Sequence, residues 1–367
     1  MSPHRLSIVL ALAAFLGWTP ISPAARLDGP SINPQIQRRY VLEHMRLAAS
    51  DRLIEQDDEI AVYLAAQFNT IVLYDIEDGL LKSEERINFE VTFARAHGLH
   101  ILLGKPTEPF SGEVGVETAR VHAAAVRVRH PLAIAAKAQV SDEEIRDRLS
   151  LWDRYGHDVI LGVFFLHDDV FLIHTTIERQ RHLYALAHDI VPDWAVFGMV
   201  GEFGFDATPE EAALYFDPSA FDDLLILMYP LNIGHVTGVH LDSAVSADPD
   251  EDMRRYVQRY LTRMAEKFVS LLTPGQLSVL VIQAFAYDVE PVGRVPRPTD
   301  IMIEAIAGNE FVRSIAGQER NRALAYFLWD GSRAGMFGLL QRPDWMSTAE
   351  TANRFDRFSE ERVGINP

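Results

Sequence analysis

The sequence predicts a (β/α)8 TIM barrel in a single domain, and three observations predict it. Seven near-continuous apolar runs of strand length recur along the 367 residues, each ends in a polar or aromatic residue, and helix-start chemistry lies between them. Such runs are what parallel strands buried on both faces look like. With one earlier candidate strand the count reaches eight, and eight strands alternating with helices over this length define the barrel.

The elements follow in order. Met1-Ser-Pro-His-Arg5 is weakly basic, Ile8 to Leu16 is apolar but too short to span a bilayer, and Ser22-Pro-Ala24 offers small residues for cleavage. Residues 1–24 are therefore expected to be a secretory signal peptide. The mature chain would be secreted or periplasmic, without an integral membrane segment after cleavage, and residues 36–367 would form a catalytic-type barrel. Arg39-Tyr-Val-Leu-Glu-His44 is the first candidate strand, and Asn69-Thr-Ile-Val-Leu-Tyr-Asp75 and His100-Ile-Leu-Leu-Gly-Lys105 follow. Ser83-Glu-Glu-Arg opens a helix running to about His97 and Ser141-Asp-Glu-Glu opens another to about Tyr155, both in the manner of capping boxes. Between residues 107 and 140 the pattern is irregular, as it is from 287 to 301, and both stretches fall where barrels carry substrate loops.

The fourth strand, Val159-Ile-Leu-Gly-Val-Phe-Phe-Leu-His-Asp-Asp169, has seven apolar residues in its first eight and then two adjacent carboxylates. Helices over residues 175–191, 249–272 and 347–361 alternate with strands Trp194 to Glu202, Asp223 to Tyr229, Leu277 to Gln283 and Ala323 to Asp330. Phe164, Phe165, Phe197, Tyr326 and Phe327 lie inside strands and read as core.

Composition narrows the partners. The net charge is −18, and removing the single Arg5 of the signal gives −19, a field that repels nucleic acid and anionic membranes. There is no cysteine, so export would rely on core size rather than on disulfides. The chain contains no G-x-G-x-x-G, P-loop, H-E-x-x-H or G-x-S-x-G motif, and nothing in it calls for a cofactor or a metal.

In a barrel of this kind the catalytic groups stand at the C-terminal ends of the strands. Those ends supply Glu43, His44, Asp75, Glu77, Lys105, His167, Asp168, Asp169, Glu202, Tyr229, Asn232, Gln283, Trp329 and Asp330. Acids, amides, one lysine and large aromatics suit a carbohydrate, which offers hydroxyls on its edges and a C–H face on its ring. Strand alternation sends Asp168 and Asp169 opposite ways, so one of them is the candidate general acid, and Asp169 is slightly favoured. A fourth-strand acid among apolar residues would have its pKa raised by desolvation, as general acid catalysis requires. Glu202, on the next strand, is the candidate second carboxylate of the pair that glycoside cleavage needs.

Gly162-Val-Phe-Phe-Leu-His-Asp-Asp169, the following Gln180-Arg-His-Leu-Tyr184 and Val281-Ile-Gln-Ala-Phe285 resemble cellulase-like and uncharacterised barrels of the large retaining glycoside hydrolase clan. The resemblance implies an acid/base at Asp168 or Asp169 and a sugar-stacking role for Trp329. It also implies a nucleophilic Glu at the end of the seventh strand, where this chain has Gln283, and an amide cannot act as that nucleophile. Two readings stay open: an exported glycoside hydrolase, either inverting through Glu202 or Asp288 or retaining through another strand, and a non-catalytic carbohydrate-binding or envelope protein on a degenerate barrel.

Overall fold

A computed structural model describes residues 34–49, 57–77, 80–104, 141–165, 176–201, 216–229, 248–267, 272–287, 295–330 and 336–363. The chain divides into two compact units, Met1–Gln37 and Arg38–Pro367. The barrel occupies the second.

Eight parallel strands close it: β1 (Arg46–Ala49), β2 (Thr70–Tyr74), β5 (His100–Gly104), β6 (Ile160–Phe164), β7 (Ala195–Val200), β8 (Asp223–Met228), β9 (Leu277–Gln283) and β11 (Leu324–Phe327). Each pairs with its neighbour in sequence, and β11 returns to β1 with Arg46 beside Leu324. Two short antiparallel pairs decorate the C-terminal end, β3 (Ile76–Glu77) with β4 (Leu80–Leu81) and β10 (Ala286–Tyr287) with β12 (Met336–Phe337). The described helices are α1 (Pro34–Glu43), α2 (Asp57–Ala65), α3 (Glu84–Ala96), α4 (Asp142–Gly156), α5 (Ile177–Ile190), α6 (Pro249–Lys267), α7 (Pro298–Ser314) and α8 (Pro343–Val363).

Alternation along the strands builds two apolar layers. Leu47, Val72, Leu102, Leu161, Phe197, Leu225, Val279, Val281 and Ala325 fill the barrel interior. Ile71, Leu73, Ile101, Val163, Val196, Ile226, Leu280 and Tyr326 form the shell against Val91, Leu149, Trp152, Leu183, Tyr256 and Ile301 of the helices. Because every strand is buried on both faces, the sequence reads as unbroken apolar runs.

The first strand lies later than the sequence suggests. Arg39 to His44, expected as a strand, forms the end of α1 and the turn after it, and β1 begins at Arg46. Helical contacts explain the difference: Arg39 pairs with Glu43 one turn on at 3.2 Å, and the Tyr40 and His44 rings stack at 4.1 Å. Leu42 and Met45 then join the interior cluster and close the N-terminal end of the barrel. Helix α7 likewise starts at Pro298, inside the stretch expected to be irregular up to residue 301.

Candidate active site at the barrel mouth

The inward register of each strand decides which side chain reaches the mouth. On β9 the interior residues Leu277, Val279 and Val281 lead to Gln283, and Ala323, just before β11, and Ala325 on it lead to Phe327. By the same period Leu225 and Leu227 lead to Tyr229, and Val72 leads to Tyr74. Tyr74, Tyr229 and Phe327 are partly open and pack on the interior cluster.

Two of these rings, Tyr229 and Phe327, pack around the buried Phe285. Tyr229 and Phe285 meet edge to face at 5.1 Å, Phe285 and Phe327 do so at 5.3 Å, and Tyr229 lies 5.9 Å from Phe327 at a 35° tilt. On the other side of the mouth Tyr74 stands edge-on to Phe164 at 6.0 Å. Gly104 permits that approach, since a Cβ there would sit 2.5 Å from the Phe164 ring and 2.8 Å from the Tyr74 ring. Gln283 is only 2% exposed, and its Nε2 reaches the Phe285 carbonyl at 3.5 Å. Its backbone N–H donates to Oε2 of the buried Glu304 on α7 at 3.2 Å, which fixes the end of the strand.

Other sequence-predicted residues turn away from this surface. Asp75 points outward, fully buried, and accepts from Arg148 Nε at 2.7 Å and again from Arg148 Nη2, as well as from Trp152 Nε1 at 2.6 Å. Burial pushes its carboxyl above the ordinary range, while Arg148 and Trp152 pull the other way. Asp330 is buried and accepts from the Gln341 amide.

Trp329, expected as a stacking platform, is 0% exposed in the shell, wedged against Tyr63 at 4.8 Å and bonded through Nε1 to Glu59 at 2.7 Å. Phe327, which the sequence suggests is core, is the ring that β11 brings to the mouth. The signal was present: the two-residue period from Ala323 through Ala325 arrives at position 327.

Lys105, His167, Asp168, Asp169, Glu202, Asn232 and Asp288 lie outside the described residues, as does the expected signal peptide. Among the described residues no group of three or more His, Asp or Glu is placed to hold a metal ion, and no helix is long and apolar enough to cross a membrane. The partly open rings of Tyr74, Tyr229 and Phe327 give the described mouth an apolar face, and the Gln283 amide is buried.

No family model and no curated protein matches the chain. Among solved structures, a β-galactosidase from the psychrophilic Marinomonas ef1 superposes with a TM-score of 0.53 at 9% identity, covering 88% of this chain and 61% of its own. A GH5_18 protein from Streptomyces cattleya, solved in complex with GlcNAc, gives 0.53 at 9% identity over 88% of this chain and 81% of its own. An endo-β-1,4-mannanase from Thermotoga petrophila gives 0.48 at 11% identity over 89% and 80%. At such identity the likeness is one of fold: the chain is a (β/α)8 barrel whose structural neighbours are glycoside hydrolases.

Proposed function

We propose that the protein is an exported glycoside hydrolase acting on a poly- or oligosaccharide. The observation that carries this reading is the pair of partly open rings at the mouth, Tyr229 and Phe327, 5.9 Å apart beside the buried Phe285. Flat rings match the C–H face of a pyranose. Asp168 or Asp169 is the proposed general acid, with Glu202 as the second carboxylate. Gln283, inward at the end of β9, rules out a nucleophile at that position and favours an inverting pair with water between the acids.

Gln283 also favours a second reading, a barrel that binds saccharide without cleaving it. Reducing-end release from a panel of polysaccharides separates the two, with binding followed by affinity electrophoresis. For the hydrolase, Asp168→Asn, Asp169→Asn and Glu202→Gln are assayed singly, and the two catalytic positions are expected to lose about 10²–10⁴-fold in turnover while binding persists. Of the two aspartates Asp169 is slightly favoured, so the larger loss is expected in Asp169→Asn. Unchanged turnover in all three variants removes the assignment. Binding without turnover by the wild type leaves the second reading standing. Export is checked separately by N-terminal sequencing of the secreted product, expected to begin at Ala25.

A further inference from the structure

We infer that Arg148 and Asp75 are positioning residues that hold the Tyr74 ring in the mouth. Neighbours on a strand point to opposite faces, so the carboxylate directed out to α4 and the ring directed inward share the same stretch of backbone. That backbone is tied on both sides: the Asp75 N–H donates to the Gly104 carbonyl at 3.2 Å, and its own carbonyl accepts from the Lys82 N–H at 2.9 Å. Arg148 bonds the Asp75 carboxylate and also donates to the Lys82 carbonyl at 2.9 Å, so one guanidinium ties Asp75 to Lys82. Lys82 Nζ in turn donates to both oxygens of buried Glu90 at 2.7 and 2.8 Å, with Arg86 as a second cation at 2.9 Å. Asp75 and Lys82 are thereby fixed to α3 and α4, and the two carboxylates involved, Asp75 and Glu90, are buried, an arrangement that is costly unless each is paired.

Tyr74 is thus set from behind by Asp75 and from its side by Gly104, whose missing Cβ leaves the ring its place. The functional consequence rests on the mouth being the saccharide site. There the clamp governs capture of the sugar and leaves the bond-breaking step unchanged.

The test uses the full chain and the variants Arg148→Met, Arg148→Lys, Asp75→Asn and Gly104→Ala. One readout is the rate of Tyr74 nitration by tetranitromethane, followed by peptide mass spectrometry. The other is KM and kcat on the polysaccharide the wild type cleaves, or Kd if it only binds. Arg148→Met and Gly104→Ala are each expected to speed nitration several-fold and raise KM or Kd about tenfold while kcat stays within about twofold. Arg148→Lys, which keeps the charge, should recover part of both effects, and Asp75→Asn decides the matter if Arg148→Met does not fold. Unchanged nitration in a folded clamp variant, or a fall in kcat with KM intact, overturns the proposal. A wild type that neither binds nor cleaves any polysaccharide defeats the saccharide reading alone, and nitration still decides whether the clamp positions Tyr74.

Discussion

Asp223 opens β8 with its carboxylate completely buried, accepting the Leu277 N–H at 2.8 Å and facing Arg39 Nη1 at 3.3 Å. Burial lifts its pKa from 3.8 to about 6, and Arg39 only partly offsets this. A carboxyl whose folded pKa is raised contributes stability that is whole below the unfolded value and is lost as pH rises through the folded one. The loss is on the order of 3 kcal/mol at neutral pH, taking 1.36 kcal/mol per pKa unit. His188, half-buried and held by Asp222 at 3.3 Å, has its pKa raised chiefly by that bond, so its contribution also fades as pH climbs above the imidazole range. Thermal unfolding between pH 5 and 8 should therefore show Tm falling with pH, and the slope should flatten in Asp223→Asn, which keeps the acceptor for Leu277 but cannot ionise. An unchanged slope would show that Asp223 is already ionised at pH 5. Nothing in the apolar pattern announced either group. An Asp before a strand looks the same in sequence whether it faces water or the floor of a barrel.

At the level of elements, strands were the most legible and α1 the least. Runs such as Leu277 to Gln283 are apolar on both faces and have only one interpretation in a chain of this length. Arg39 to His44 carries a three-residue apolar core that suits either period, and its pairing partners one turn apart settled it as helix. Leu42 and Met45 then fill the floor, so Leu42→Ala or Met45→Ala should each cost about 2–4 kcal/mol in urea unfolding, as buried truncations do. Helix α4 was legible from its first residues. Ser141 accepts the Glu144 N–H at 3.2 Å and Glu144 returns a bond to the Ser141 N–H at 3.0 Å, the reciprocal cap that Ser-Asp-Glu-Glu suggested. Ser141→Ala should lower stability by about 1 kcal/mol without touching the mouth.

For the whole molecule, the barrel was readable because its periodicity is global, whereas the site was readable only as an inventory. The ends of strands name the residues that can reach the mouth, but one residue of register separates Phe327, which lines it, from positions that serve the shell. Asp75 and Trp329 show the two ways such an inventory diverges from the folded chain: one is drawn outward by Arg148, the other is covered by Tyr63 and Glu59. The pairing of β1 with β11 sets Arg46 beside Leu324, residues from opposite ends of the chain. Closing so long a loop gains nothing until the last strand arrives, so the cylinder cannot be completed on a partly made polypeptide. The ring of eight strands can therefore close only once Phe327 has left the ribosome.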